Sequence, residues 1–292
     1  MKVPSYMLIS ALFFASMGAI IKFLDHLPFY ELVLFRSLII LILCVPQILR
    51  LRLNFFGKKS NRKILILRGF FGTLGLTLYY WTIQKLDFGI AVTIQYTSPI
   101  FTMFIASYIL GEKKSQKSLL WMFVALIGVA TIYQFNFSGI NLSFLALGLF
   151  AAFFSGCAYN CISRLKGKEH PQVIMVFFPF ITIPLILLPS MMTFVLPGLG
   201  DCLLIIGMGV STYLAQLFLT KAYQAAPAAA VAVYGNLNVL MALVVGTIVF
   251  QEALDIFKVT GAALVIISVF FVQKSNKLSP RLVQKTPKKI CS

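Results

Sequence analysis

Ten apolar runs follow one another along the chain, separated by short polar joints. They cover residues 6–24, 30–49, 64–83, 89–110, 119–133, 143–163, 173–195, 202–220, 226–250 and 257–272. A helix needs about 20 largely apolar residues to cross the hydrocarbon core of a bilayer. An isolated segment in lipid must also satisfy its backbone internally, which favours helix over strand. The pattern therefore predicts ten transmembrane helices, with joints too short to hold a soluble domain. The first run has no small-residue cleavage pattern and reads as a retained helix rather than a signal peptide.

Composition agrees with the pattern. Hydrophobic residues make up 60% of the 292 and charged residues 11%, against about 25% charge in an ordinary soluble domain. Mean hydropathy is +0.93. The net charge of +17 would suggest nucleic acid in a soluble chain. Its distribution suggests something else. With ten spans and a cytoplasmic N-terminus, 20 of the 25 Lys and Arg fall on the cytoplasmic side. Lys22, Lys85 and Lys258 fall on the other side, and Arg36 and Arg68 lie inside helices. This is the positive-inside bias of a membrane protein with both termini in the cytoplasm. The excess charge is a topology signal, and no nucleic-acid partner is expected. The last segment, 274–292, reads as a basic cytoplasmic tail.

The chain matches itself at an offset of 140 residues. Phe13 and Phe14 fall on Phe153 and Phe154, Gly69 on Gly209, Leu74 on Leu214, Glu112 on Glu252 and Val129 on Val269. The apolar runs coincide as well. This divides the chain into a first five-helix repeat, 1–135, and a second, 140–273. Because five is odd, tandem copies enter the membrane from opposite sides, giving inverted repeats, an architecture that secondary transporters use. The expected fold is an all-α membrane protein of ten helices in two inverted halves, working as a monomer or homodimer in the plasma membrane.

Polar groups within the spans mark candidate contacts, since they must face protein, cavity or cargo. The fourth run carries Gln95, Tyr96, Thr97 and Ser98 toward its centre, followed by Pro99. Pro99 removes a helix hydrogen bond and frees a carbonyl near Gln95. The ninth run carries Tyr234, Asn236 and Asn238, and the offset pairs Tyr96 with Asn236 and Ser98 with Asn238. Substrate binding and helix-to-helix hydrogen bonding both account for such clusters. Arg36 lies about 9 Å into the second run, too deep to snorkel easily, and either pairs a substrate carboxylate or caps backbone carbonyls. Arg68 is about one turn inside the third run and reads as snorkelling to the cytoplasm. Tyr79, Tyr80 and Trp81 form either an interfacial belt or an aromatic wall. Tyr159, Asn160, Gln216 and Tyr223 are candidates for an inner vestibule.

The eight acids all fall in joints or at helix ends, so a mid-membrane carboxylate relay is not expected. The two histidines, His26 and His170, lie in joints, and the five cysteines show no disulfide or metal spacing. No metal, cofactor or catalytic residue is expected. An intramembrane enzyme would need a nucleophile and base at matched depth, and a channel would show charged rings or carbonyl filters. Neither signature is present.

Two corresponding stretches carry a family resemblance: LDFGIAVTIQYTSPIFTMFIASYILGEKKS (86–115) and AAPAAAVAVYGNLNVLMALVVGTIVFQEAL (225–254), with GAALVIISV (261–269) closing the second copy. In these segments and over most of its length the chain resembles the drug/metabolite transporter superfamily, specifically EamA-type transporters. FYELVLFRS (29–37) and ILRGFFGTLGLTLYYW (66–81) are similar to a subgroup that includes S-adenosylmethionine uptake carriers. The sequence departs from the pattern where Val239 replaces the equivalent of Pro99, which puts a symmetric proline kink in doubt. The resemblance implies a secondary carrier for a small organic metabolite, an amino acid or a derivative such as S-adenosylmethionine. Export of drugs or metabolites is the alternative. A bacterial inner membrane is the favoured location.

Overall fold

The structure is a computed structural model that describes residues 3–85, 94–110, 116–132, 142–192, 194–249, 251 and 254–277. The tail beyond 277, and the acids Asp87, Glu112 and Glu252, lie outside the described residues. Among the described residues the regular structure is entirely helical.

The helices are α1 (Val3–Phe23), α2 (Phe29–Arg50), α3 (Arg62–Lys85), α4 (Ser98–Ile109), α5 (Gln116–Ile132) and α6 (Leu142–Arg164). They continue with α7 (Pro171–Met192), α8 (Leu199–Ala225), α9 (Ala228–Tyr234), α10 (Leu237–Val249) and α11 (Ile256–Lys277). Seven segments are long and apolar enough to cross a membrane, with α9 and α10 counted as one, and three further apolar helices are shorter. These ten correspond to the ten apolar runs. Large aliphatic side chains such as Ile42, Leu188 and Ile248 point outward and are exposed, as a lipid-facing surface requires.

Helix packing repeats at the 140-residue offset. α3 packs on α6 as α8 packs on α1, and α3 packs on α7 as α8 packs on α2. α4 packs on α6 as α10 packs on α1. α2 lies against its counterpart α7, and α5 against its counterpart α11. Small residues permit the close crossings, as is usual where no hydrophobic effect drives helices together in lipid. A Cβ on Gly69 would strike the Phe177 carbonyl oxygen, and one on Gly209 would strike Ile39.

The segment around α4 and the α9–α10 segment are both interrupted, at matching places. Residues 94 and 95 are helical, 96 and 97 form a turn, and α4 starts at Ser98. Short i to i+3 bonds bridge this break, from the Thr97 amide to the Ile94 carbonyl (2.9 Å) and from the Ile100 amide to the Thr97 carbonyl (2.9 Å). In the second copy the Gly235 amide donates to Ala232 (2.9 Å) and the Asn238 amide to Gly235 (3.1 Å). The ninth run is therefore two helices rather than one, and it breaks without a proline. Pro99 sits in the first turn of α4, where a missing N–H costs little.

The ends of the bundle are tied by loop contacts. Glu169 Oε1 accepts from the Lys58 amide (2.8 Å) and from Asn61 Nδ2 (2.7 Å). His26, in the joint between α1 and α2, is half exposed and lies 3.2 Å from Asp201. Asp201 is the offset counterpart of Asn61. The Glu31 carboxylate, buried at the start of α2, accepts the Val195 amide at 2.7 Å.

Candidate functional site

A cavity of about 700 Å³ lies among α1, α2, α3, α6, α8, α10 and the break before α4. Lys22, Asp25 and Lys258 reach it from helix ends and loops on one side, and Arg36 and Arg68 reach it from within their helices. On its wall Tyr159 and Tyr223 stack at 5.1 Å with planes 15° apart.

Arg36 and Arg68 are 1% and 3% exposed. Both guanidiniums stand over the ring of Phe178 from α7, at 5.3 Å and 5.9 Å from its centroid. That contact stabilises a cation but does not neutralise it. Arg68 Nη2 donates to Gln216 Oε1 at 3.3 Å, while Arg68 Nε and Arg36 Nε and Nη1 have no hydrogen-bond partner. Among the described residues neither arginine pairs with a carboxylate. Tyr80 reaches the cavity with its hydroxyl close enough to the Arg36 guanidinium to interact with it electrostatically, but without a hydrogen bond of good geometry.

The interrupted helices add amides. Gln95 Nε2 donates to Ser155 Oγ at 3.0 Å, but Gln95 Oε1 has no partner. Asn238 Oδ1 is likewise unpartnered. Both residues line the cavity, as do Tyr96, Ser98 and Pro99. A buried polar atom without a partner costs about 1–3 kcal/mol, and more when charged. Of the twelve such atoms among the described residues, six, on Arg36, Arg68, Tyr80, Gln95 and Asn238, belong to residues of one cavity. The atoms themselves are buried, so a ligand in the cavity supplies the missing partners once these side chains turn toward it.

Several expectations need correction. Arg68 does not snorkel to the cytoplasm: it is buried against Phe178 and Gln216 and lines the cavity. Tyr234 is buried in a core cluster with Ala228 and Val231, and Asn236 is 2% exposed in the turn. Neither lines the cavity with Asn238, because residues at similar depth point in different directions around a helix. Asn160 joins α6 to α4 by donating to the Thr102 carbonyl (3.0 Å), and does not line the cavity. The aromatic triplet divides: Tyr79 and Tyr80 face the cavity, and Trp81 is 42% exposed. Phe178 and Ser155 were not singled out from sequence. Phe178 is one of 28 phenylalanines, and nothing in its neighbourhood distinguishes it. Cys157 and Cys161 are free thiols.

Comparison with known proteins places this architecture. The chain is 26% identical to the pseudopaline exporter of Pseudomonas aeruginosa over 268 residues, covering 90% of this chain and 93% of that protein. It is 24% identical to the S-adenosylmethionine uptake transporter of Rickettsia prowazekii over 255 residues, covering 86% and 84%. A solved crystal structure superposes with a TM-score of 0.81 at 12% identity, covering 96% of this chain and 98% of that one, which establishes the shared fold alone. The EamA-like transporter family matches residues 1–134 and 142–273. These names denote transporters, not enzymes. The chain is a multi-pass membrane protein and belongs to the EamA-like transporter family.

Proposed function

We propose that this protein is a secondary transporter that moves a small organic metabolite across the bacterial inner membrane by alternating access. The cargo class is an amino acid or an amino-acid-derived compound, which includes S-adenosylmethionine. The observation that carries this reading is the pair of buried arginines that, among the described residues, have no carboxylate partner, in a cavity between two sets of symmetrically packed helices. A charged group deep in a membrane protein is costly unless it meets an opposite charge, and an anionic group on the cargo supplies one.

The repeated packing supports two inverted five-helix halves, and the 20-to-3 distribution of basic residues supports cytoplasmic termini. In such a molecule the halves rock about a fixed site at their interface. Arg36, Arg68 and Tyr80 take the anionic end of the cargo, while Gln95 and Asn238, beside the two helix breaks, take its hydrogen-bond donors.

The test uses purified protein in liposomes and a labelled panel of amino acids and S-adenosylmethionine. Saturable uptake, stimulated by unlabelled cargo on the far side, is expected of a carrier. It should be lost in Arg36→Ala. Non-saturable flux, or full transport in Arg36→Ala, would overturn the reading.

A further inference from the structure

We propose that the cargo is a small dicarboxylate bearing a hydroxyl or ammonium group, with one carboxylate bound by Arg36 and the other by Arg68. This rests on the transporter reading above, keeps its anionic end, and extends its cargo class from amino acids to hydroxy acids with two carboxylates.

Charge comes first. Among the described residues, the ionisable side chains with formal charge that line the cavity are Lys22, Arg36, Arg68, Lys258 and Asp25. The sole acid, Asp25, follows the end of α1 and does not pair with either arginine. Among the described residues the lining thus carries four cations to one acid, and the two buried arginines have no paired carboxylate. A cargo with one carboxylate neutralises one guanidinium and leaves the other buried and exposed to its repulsion. S-adenosylmethionine has one carboxylate and adds a sulfonium to a cationic lining, so it is a poorer match. Two carboxylates neutralise both arginines.

Geometry then limits the size. Because both guanidinium carbons lie over one ring, at 5.3 and 5.9 Å, they are at most about 11 Å apart. Carboxylates joined by a short carbon chain fit between them, each accepting from the nitrogens that now lack partners. Carboxylates match the planar guanidinium fork.

The remaining unpaired atoms determine the rest of the cargo. Gln95 Oε1 and Asn238 Oδ1 are acceptors without donors, one beside each helix break. A carboxylate cannot satisfy them, but a hydroxyl or ammonium can. That separates hydroxy- and amino-dicarboxylates from plain dicarboxylates.

The test is uptake by the full chain in liposomes with five labelled probes: malate and glutamate, their single-carboxylate counterparts lactate and alanine, and S-adenosylmethionine. Malate or glutamate uptake is expected to be saturable and at least tenfold above that of its counterpart. Arg68→Ala should reduce this preference to about twofold or less. Arg68→Lys, which keeps the charge and the fold, should retain part of it. Saturable uptake of alanine, lactate or S-adenosylmethionine equal to that of the dicarboxylates would overturn the dicarboxylate assignment and leave the transporter reading intact. A preference unchanged in both Arg68 variants would also overturn the assignment. Saturable uptake of none of the five would overturn both.

Discussion

The two halves of this molecule share a scaffold but not a chemistry. Their helices pack in matching pairs and their interrupted segments break at matching positions. The side chains at equivalent places differ. Arg36 corresponds to Val176, Arg68 to Met208 and Tyr80 to Thr220. The first half supplies the buried cations and the tyrosine hydroxyl beside them, and the second supplies the ring of Phe178 and the amide of Gln216. Symmetry governs how the backbone packs, where any change disturbs both sides of a contact. It does not govern the cavity wall, where one half can specialise while the other supports it.

Four measurements test this division, beginning with the largest effect. Arg36→Ala should reduce transport by about 100-fold, close to 3 kcal/mol, as expected for loss of a charge-assisted pair. Its counterpart Val176→Ala should cost stability through a core cavity and leave transport within about threefold. Equal losses of transport in the two variants would break the comparison.

Next is a pair of packing variants. Gly69→Ala places a methyl group on the Phe177 carbonyl oxygen, and Gly209→Ala places it within 2.6 Å of Ile39 Cβ. Neither atom can turn aside, since a Cβ moves only with its backbone. Overpacking costs about 1–3 kcal/mol, and both variants should fall toward the upper end, as matched scaffold positions would. Thermal unfolding in detergent checks this, and a large loss in one variant with none in the other would count against the matched scaffold.

A smaller effect is expected for Asn238→Ala, the main polar contribution of α10 to the wall. About a tenfold loss of transport is expected, clearly less than for Arg36→Ala. A larger loss would mean that the second half carries recognition too. The smallest effect is expected for Pro99→Ala, with transport within about twofold. The second copy breaks without a proline, and in the first turn of a helix the ring takes the place of an N–H that is unpaired in any case. A tenfold loss would show that the two breaks are made differently after all.

Much of the fold was legible in the sequence because lipid is a demanding solvent: it requires long apolar runs, and the ten runs correspond to the ten apolar segments found. The break between Tyr234 and Leu237 was not legible, since it interrupts a continuous apolar run with nothing stronger than Gly235 and Asn236. The candidate site was legible by depth but not by direction. Arg36, Tyr80, Gln95, Tyr96 and Asn238 reach the cavity, while Tyr234 and Asn236, at similar depth, point elsewhere. Arg68 was misjudged because position along a helix does not say whether a long side chain turns toward the membrane surface or into the bundle. That depends on Phe178 and Gln216, more than 100 residues away in the chain.

The two helix breaks also lie side by side. α9 packs on α4, and a methyl group added at Gly235 would lie 3.7 Å from Cγ of Pro99. In mechanical terms, the two joints share one bearing surface. A change of angle at one break alters the surface against which the other is packed, so on the reading proposed above Gln95 and Asn238, which flank the breaks, would respond together rather than one at a time.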